Sequence, residues 1–379
     1  MSSRKEPAGR KPAHALRRWH RAFPSRRSRR SRGMEATWEA LKLKLVEPVL
    51  THKGVRSVLE HRKVNICWQG FEAVGVAVPA KDYGTSLDMI DAGLTVATAM
   101  LKGRDPFQLQ MLLDEISGPL SKVPTVLAAI DMALHDLMGK AAGLPVRSML
   151  GLAAKPLPPT FSSIGMMSPE RAASAAGSLR AWPRIKLKVG TDPDYGRIQA
   201  VHAVHGGDIL VDANGAWSAE QAVRCAERLS RMGVCAIEQP VAAGDLDGMR
   251  FVKDRVDITI IADESCSTSQ DALALRGCAD AVNIKLIKCG GLRNAMGLIN
   301  VAHACGMQVM LGCKPESTVG VTAMAQLGGM ADWIDLDGHL CLENDPYQGI
   351  TITNGYVAFP DAAGLGLVPT SFNTQDMNQ

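Results

Sequence analysis

Short apolar runs recur through the second half of the chain, and each is followed by polar residues and then by a stretch with helical periodicity. Runs that are apolar on both faces are typical of strands in a parallel sheet, joined by crossover helices. Eight such units, or seven if the first is misread, favour a closed (β/α) barrel over residues 152–349. A doubly wound sheet is the main alternative, but no GxGxxG motif follows the first strand. The runs are PPTFSSIG, RIKLKVG, DILVDANGAW, VCAIEQPV, ITIIADES, AVNIKLIKCGG, MQVMLGCKPES and WIDLDGHL.

The first half of the chain has a different pattern, which predicts an α+β capping domain over residues 34–151. Two strand-like segments, ALKLKLVEPVL and KVNICWQGFEAVGVAVP, flank a polar stretch, 51–61, that we interpret as a loop. Two amphipathic helices follow, TSLDMIDAGLTVATAMLKG and TVLAAIDMALHDLMGKAAGLPV. The C-terminal segment, 350–379, is expected to form a hairpin that completes this domain. The chain is therefore predicted to be an α/β protein with a modified seven- or eight-unit TIM-type barrel.

Charge changes the picture only at the N-terminus. The whole chain of 379 residues has a net charge of +4, but residues 1–33 hold twelve Lys and Arg against Glu6, a charge of +11 that leaves −7 for the rest. This basic leader is expected to be an organellar targeting peptide, a basic arm, or an overextended start before Met34. A nucleic-acid-binding role would rest on the leader alone, because the remaining body is acidic.

Composition indicates a cytoplasmic protein that does not enter membranes. No apolar run approaches the ~20 residues needed to span a bilayer. The nine cysteines are odd in number and form no CxxC pair, which favours reduced thiols over a disulfide framework or a zinc site.

Three carboxylates follow three consecutive predicted strands: Asp212 in LVDANG, Glu238 in AIEQP and Asp263 in IADES. Parallel strands of a barrel aim such residues at one point, where their mutual repulsion requires a cation. Hard oxygen ligands without local His or Cys favour Mg²⁺, with Mn²⁺ as an alternative. A lone acid here would usually be a helix cap, but three in register predict a metal centre.

Lysines flank these carboxylates. Lys186 and Lys188 share one face of the strand RIKLK, and Lys285 and Lys288 follow the strand after Asp263. Burial lowers the pKa of a lysine toward neutrality unless an anion opposes it. We expect Lys186 and Lys288 to be nearer to ion-pair partners, and Lys188 and Lys285 to stand on opposite sides of the metal.

The order KxK, DANG, EQP, ADES and NIK, preceded by ALHDLMGKAAGLPVRSMLG, resembles the enolase superfamily in its muconate-lactonising subgroup. Enolase-superfamily sites are a standard example of a Lys or His base working beside magnesium. The resemblance implies that Asp212, Glu238 and Asp263 bind the metal and that Lys188 and Lys285 form an acid–base pair. Asn214, Glu264 and Lys288 are expected to support this centre.

The last predicted strand, WIDLDGHL, indicates the substrate. Asp335 and Asp337 share one face, which resembles the DxD motif with which dipeptide epimerases hold the substrate's α-ammonium group. The alternative is that Asp337 and Gly338 simply form a turn. Other expected substrate contacts are Lys186, Cys313, Lys314, Lys53 and Arg56.

The basic residues among these contacts favour an acidic dipeptide such as Ala-Glu. A cation at Lys314 would attract an acidic side chain, or would instead pair with Glu316. Lys53 and Arg56 lie in the polar segment that, in this family, closes over the substrate.

The predicted activity is epimerisation of an L,L- or L,D-dipeptide. Three alternatives within the superfamily use the same metal and lysines: a cycloisomerase, a dehydratase, or a racemase of N-acylated amino acids. From another class, the chain could be an inactive scaffold or binding homologue. A homo-oligomer is expected because the family usually forms one.

Overall fold

The computed structural model describes residues 33–51, 54–153, 155–190 and 195–370. The basic leader up to residue 32, Lys53 and the tail 371–379 lie outside the described residues. Within the described part, no helix is both long and apolar enough to cross a bilayer.

The capping domain begins with a three-stranded antiparallel meander, in which β1 pairs with β2 and β2 with β3. Its strands are β1 Glu35–Thr51, β2 Gly54–Trp68 and β3 Phe71–Ala77. The interpretation of 51–61 as a loop was wrong, because residues 54–61 belong to β2. Backbone pairing, such as that of Val55 with Leu50, needs no apolar side chains, so the hairpin stays extended even where residues 55–58 are exposed to water. A register shift between Lys44 and Val49 surrounds Pro48, which has no N–H to donate.

Four helices complete this domain: α1 Leu87–Leu101, α2 Leu109–Ser117, α3 Pro124–Ala142 and α4 Val146–Met149. The Ser86 side chain caps α1 by accepting from the Met89 N–H, and Gly143 ends α3 in the left-handed conformation with φ 69°. The long helix α3 packs on β3 so closely that a Cβ at Gly75 would lie 1.9 Å from the Ala129 carbonyl oxygen. Only glycine permits this approach.

The second domain is a parallel barrel of eight strands in sequential order. Its strands are β4 Ser162–Ile164, β5 Arg184–Lys188, β6 Asp208–Asp212, β7 Val234–Glu238, β8 Thr259–Ala262, β9 Ala281–Ile284, β10 Gln308–Gly312 and β11 Trp333–Asp335. A parallel bridge between Thr160 and Ile334 closes the barrel, with the Phe161 N–H donating to the Ile334 carbonyl at 3.0 Å. The predicted fold class is confirmed, with eight units rather than seven.

Helices follow the barrel strands and cover their outer face. They are α5 Pro169–Ser178, α6 Tyr195–His202, α7 Ala219–Ser230, α8 Leu246–Lys253, α9 Ser269–Ala274, α10 Leu286–Cys289, α11 Leu292–Ala304 and α12 Thr318–Ala325. Inside the barrel, six buried side chains form a separate apolar cluster: Phe161, Leu210, Ala236, Ile261, Ala281 and Met310. This cluster fills the interior below the carboxyl ends of the strands, so polar groups at those ends lie above a dry core.

The C-terminal segment forms short strands, β12 Tyr347–Gln348, β13 Thr351–Thr353, β14 Tyr356–Ala358 and β15 Val368–Pro369. The β13–β14 hairpin contacts the amino-terminal end of the barrel, where the Gly355 carbonyl accepts from the Thr160 N–H at 2.7 Å. The stretch after the hairpin reaches the capping domain, where the Leu365 N–H donates to Asp136 on α3 at 2.9 Å. The segment therefore contacts both domains.

His61 on β2 should make the fold sensitive to acid. Its ring is 2% exposed, and its Nδ1 has no hydrogen-bond partner among the described residues. Burial, with a smaller effect of Arg56, lowers the pKa of His61 to about 3. Below pH 6.5 the unfolded chain binds a proton at His61 that the folded chain does not. The free energy of unfolding therefore decreases as the pH is lowered below 6.5.

His61→Phe removes this proton, and by pH 5 the variant should retain about 2 kcal/mol that the wild type loses relative to pH 7. Urea unfolding at both pH values measures the difference. The matched control is His303→Gln, since the His303 side chain is 42% exposed. Equal losses in wild type and His61→Phe would contradict the argument.

Candidate active site

Three buried carboxylates lie side by side at the carboxyl ends of consecutive strands. Asp212 ends β6, Glu238 ends β7, and Asp263 follows β8. Asp212 and Glu238 are partners in the register of the two strands. Their relative exposures are 0%, 0% and 1%. The structure thus brings together the three residues that the sequence predicted as metal ligands.

Lys186 on β5 neutralises much of this charge. Its Nζ lies 3.1 Å from Asp212 Oδ2, 2.7 Å from Glu238 Oε2 and 2.8 Å from Asp335 Oδ2. Burial alone would lower the pKa of Lys186, but the Asp335, Glu238 and Asp212 carboxylates outweigh it and hold that pKa well above its usual value. Lys186 is therefore an ion-pair partner of the carboxylates, and it is only 2% exposed; its predicted contact with a substrate stays a prediction.

Lys188 and Lys285 approach the row of carboxylates from opposite ends. Lys188 Nζ lies 2.6 Å from Asp212 Oδ2, and Lys285 Nζ lies 2.6 Å from Asp263 Oδ2. Strands β5 and β9, which lead to these lysines, flank the three strands that carry the carboxylates. Burial would lower the pKa of Lys285, but Asp263 outweighs it and the pKa is raised well above its usual value. The anion therefore decides the protonation state of this lysine.

Two further residues hold Asp263 in place. Lys288 is fully buried and donates to Asp263 Oδ1 at 2.6 Å and to the Asp263 carbonyl at 2.5 Å. The Tyr83 hydroxyl, from the capping domain, lies 3.4 Å from both Asp263 Oδ2 and Lys285 Nζ. Tyr83 was not predicted, because nothing in its local sequence indicates that this turn reaches the barrel.

Asn214 and Glu264 lie beside the carboxylates. Asn214 adopts the left-handed conformation with φ 46° and donates through Nδ2 to Glu264 Oε1 at 3.0 Å. The Asn214 side-chain oxygen lies 3.2 Å from Lys188 Nζ. These contacts tie the loop after β6 to the loop after β8 and orient Lys188.

Asp335 and Asp337 differ in their surroundings. Asp335 is bound by Lys186, while Asp337 Oδ2 accepts from the Ser163 N–H at 2.6 Å. Burial and the neighbouring Asp335 raise the pKa of Asp337 to about 6. The Asp337 carbonyl also accepts from the Leu340 N–H at 2.9 Å, so the predicted turn exists alongside the paired carboxylates.

The segment after β10 makes an unexpected contact with the capping domain. Lys314 Nζ lies 2.5 Å from Asp82 Oδ2, whereas the Glu316 side chain accepts from the Lys314 backbone N–H, at 3.2 Å. The Cys313 thiol donates to the Asp335 carbonyl at 3.2 Å, so it lies next to the backbone of β11. Asp82, like Tyr83, was missed from the sequence.

Arg56 lies exposed on β2 opposite Val49, and Lys53 lies outside the described residues. A cavity of about 660 Å³ opens above the carboxylates. Arg56 is not among the residues that line this cavity. The cavity is lined by Asp82, Lys188, Asn214, Gly215, Gln239, Ala242, Ala243, Glu264 and Lys314.

The donor set of the carboxylate row suits a hard divalent cation. In the described part of the chain, no three His, Cys, Asp or Glu side chains lie close enough to hold a metal ion as they stand, because lysine ammonium groups lie among them. Among the described residues, Glu238 Oε2 is nevertheless buried without an aligned hydrogen bond, although Lys186 Nζ lies 2.7 Å away, and burial with Asp212 raises the pKa of Glu238 to about 7. This carboxylate is the least compensated of the three, so the residues present fit a cation placed between them.

A capped parallel barrel with carboxylates and lysines at the carboxyl ends of its strands defines an enzyme of the enolase type. Family models agree: "Enolase C-terminal domain-like" matches residues 170–372, and "Mandelate racemase / muconate lactonizing enzyme, N-terminal domain" matches residues 66–151. The chain belongs to the enolase superfamily, in its mandelate racemase and muconate lactonizing enzyme group.

Two curated relatives are similar to most of the chain. The L-Ala-D/L-Glu epimerase of Bacteroides thetaiotaomicron is 33% identical over 333 residues, covering 86% of this chain and 85% of the relative. The hydrophobic dipeptide epimerase of Enterococcus faecalis is 35% identical over 279 residues, covering 70% and 78%. The two names differ in the side chain accepted.

Solved structures agree with this fold. The dipeptide epimerase of Enterococcus faecalis V583, complexed with Mg and L-Leu-L-Tyr, matches with a TM-score of 0.83 and 30% identity, covering 88% of this chain and 99% of that one. The substrate-liganded L-Ala-D/L-Glu epimerase of Bacillus subtilis matches with a TM-score of 0.84 and 29% identity, covering 90% and 100%.

Replacing Lys186 tests the charge balance of the site. Lys186→Met leaves Asp212, Glu238 and Asp335 without their shared cation, and we expect a loss of about 3–5 kcal/mol in unfolding free energy. Urea unfolding in EDTA measures it. Lys253→Met is the control, because Lys253 pairs with Asp280 nearer the surface and should cost about 1 kcal/mol or less. A Lys186→Met protein as stable as wild type would refute the role given to Lys186.

Proposed function

We propose that this protein is a Mg²⁺-dependent dipeptide epimerase, an isomerase that inverts the α-carbon of a dipeptide residue. The observation that carries the proposal is the placement of two lysines at opposite ends of a row of three buried carboxylates, beside a cavity. Relatives named as dipeptide epimerases support the substrate class.

Asp212, Glu238 and Asp263 would hold the metal. A bound Mg²⁺ would stabilise the negative charge that develops on the substrate carboxylate when the α-proton leaves. Mn²⁺ takes the same ligands and is proposed as a substitute. The homo-oligomeric state and the cytoplasmic location stay predictions.

Lys188 and Lys285 would transfer the proton. One lysine removes the α-proton from one face of the substrate, and the other donates a proton to the opposite face, which inverts the centre. Asn214 orients Lys188, and Tyr83 contacts Lys285. Lys288 positions Asp263 and does not reach the substrate in this assignment.

Asp337, with Asp335 behind it, would bind the α-ammonium group of the dipeptide. Lys186 already balances Asp335, so Asp337 is the carboxylate left to meet the substrate. Its anchoring by the Ser163 N–H fixes the direction of the remaining oxygen. A carboxylate and an ammonium group are the two ends of a dipeptide.

Deuterium exchange tests the function directly. The full-length protein with Mg²⁺ in D₂O should add one dalton to particular members of a pool of L,L-dipeptides, and EDTA should abolish the gain. The reason is that a deuteron from the solvent replaces the α-hydrogen during inversion. A protein that binds Mg²⁺ but labels no dipeptide would overturn the proposal.

Single lysine variants test the assignment of one lysine to each face. Lys188→Ala and Lys285→Ala should each lower epimerisation by about 10²–10⁴-fold, because one proton transfer is lost. Each should still exchange deuterium into one epimer, and the two variants should prefer opposite epimers. Lys102→Ala, at an exposed lysine of the capping domain, serves as the control. Loss of exchange with both epimers in both variants would contradict the two-face scheme.

Asp337→Asn tests the ammonium site. The wild type should prefer a dipeptide to its N-acetyl analogue, and the variant should lose about tenfold to a hundredfold of that preference, since a charged hydrogen bond is removed. The measurement is the ratio of kcat/KM for the two compounds. An unchanged ratio would remove Asp337 from the substrate site.

A further inference from the structure

The contact between Asp82 and Lys314 joins the two domains at the cavity. Asp82 lies in the 3₁₀ turn Lys81–Tyr83, and Lys314 follows β10. Two hydrogen bonds between Ala80 and Thr85, of 3.2 and 3.0 Å, close the turn and fix the direction of its side chains. Lys314 Nζ also lies 5.0 Å from the centroid of the Tyr83 ring. The ion pair is therefore held by a structured turn.

Asp82, Lys314 and Lys188 line the same cavity. If Lys188 exchanges a proton with the substrate, the α-carbon must lie beside its Nζ. The side chain on that carbon must then lie along the remaining walls, which include Asp82 and Lys314. These two residues are placed to sense the charge of that side chain.

Both cations on the described cavity walls are already matched. Lys188 pairs with Asp212, and Lys314 pairs with Asp82. The Lys314 ammonium group, with smaller effects of Lys188 and Lys285, lowers the pKa of Asp82, so its carboxylate is ionised. An acidic substrate side chain would meet Asp82 first, and would have to compete with it for Lys314.

We propose that Asp82 is a specificity-determining residue that disfavours acidic side chains at the inverted position, because its own carboxylate occupies Lys314. The proposal rests on the epimerase function given above. It reverses the expectation of an acidic dipeptide, which treated Lys314 as available to the substrate. Dipeptides with uncharged or basic side chains are the preferred class.

The test compares L-Ala-L-Glu with L-Ala-L-Gln, which differ by one charge at nearly equal size. The wild-type ratio of kcat/KM, Glu over Gln, should lie below one. Asp82→Asn removes the competing charge while keeping the shape, and the ratio should rise about tenfold as the like-charge repulsion is lost. The Asp82 side chain is 65% exposed, so folding is not at risk.

Two further variants separate charge competition from general damage. Lys314→Gln leaves Asp82 without its partner, and the ratio should fall below the wild-type value. The double variant Asp82→Asn/Lys314→Gln, which removes both charges, should return toward wild type. Asp88→Asn, in the first turn of α1 and away from the cavity lining, should leave the ratio unchanged.

The outcomes are distinguishable. Exchange of either dipeptide with the same ratio in wild type and Asp82→Asn overturns this inference alone. A wild-type preference for Glu also overturns it. If no dipeptide is exchanged in Mg²⁺, the epimerase function fails, and this inference fails with it.

Discussion

Negative charge buried at the ends of the barrel strands has to be matched by cations, and this requirement fixes most of the site. Asp212, Glu238 and Asp263 lie above a dry apolar interior, where an unpaired carboxylate costs several kcal/mol. Lys186, on the adjacent strand β5, offsets part of that cost because its ammonium group contacts Asp212, Glu238 and Asp335. Lys186, Lys285 and Lys288 are themselves buried, so these cations and the carboxylates are each tolerable only because the other is present. The acid–base groups of the proposed reaction belong to this same balanced set.

The capping domain contributes to the site because buried polar contacts hold it against the barrel. On α3, Asp131 accepts from the Arg293 N–H at the start of α11, at 3.2 Å. Asp136 on the same helix accepts from the Val74 N–H and from the Leu365 N–H, which joins β3 to the C-terminal segment. These contacts fix the sheet from which the Lys81–Tyr83 turn extends. The turn can then deliver Asp82 and Tyr83 to a defined place above the strands.

The barrel and its charged residues were readable from the sequence because a parallel strand places its last residue at one rim of the barrel. Asp212, Glu238 and Lys285 each follow an apolar run, so strand assignment alone brought them together. Asp82 and Tyr83 carry no such signal, because their position depends on how the capping domain docks. The extended residues 54–61 were missed for a related reason: backbone pairing with β1 holds them, and the side chains of residues 55–58 are exposed to water and give no sign of a buried strand. Local pattern therefore predicted which carboxylates and lysines lie together, and long-range docking decided the rest.

The proposed chemistry and the proposed specificity rest on groups with different energetic constraints. A change in the buried set of lysines and carboxylates leaves uncompensated charge, so that set has little freedom to vary. Asp82 and Lys314 form a partly exposed pair, with side-chain exposures of 65% and 27%, and such pairs contribute little to stability. They are free to change at small structural cost. Under the proposed function, the Asp82–Lys314 pair would tune the substrate, while the buried carboxylates and lysines of the barrel would keep the reaction constant.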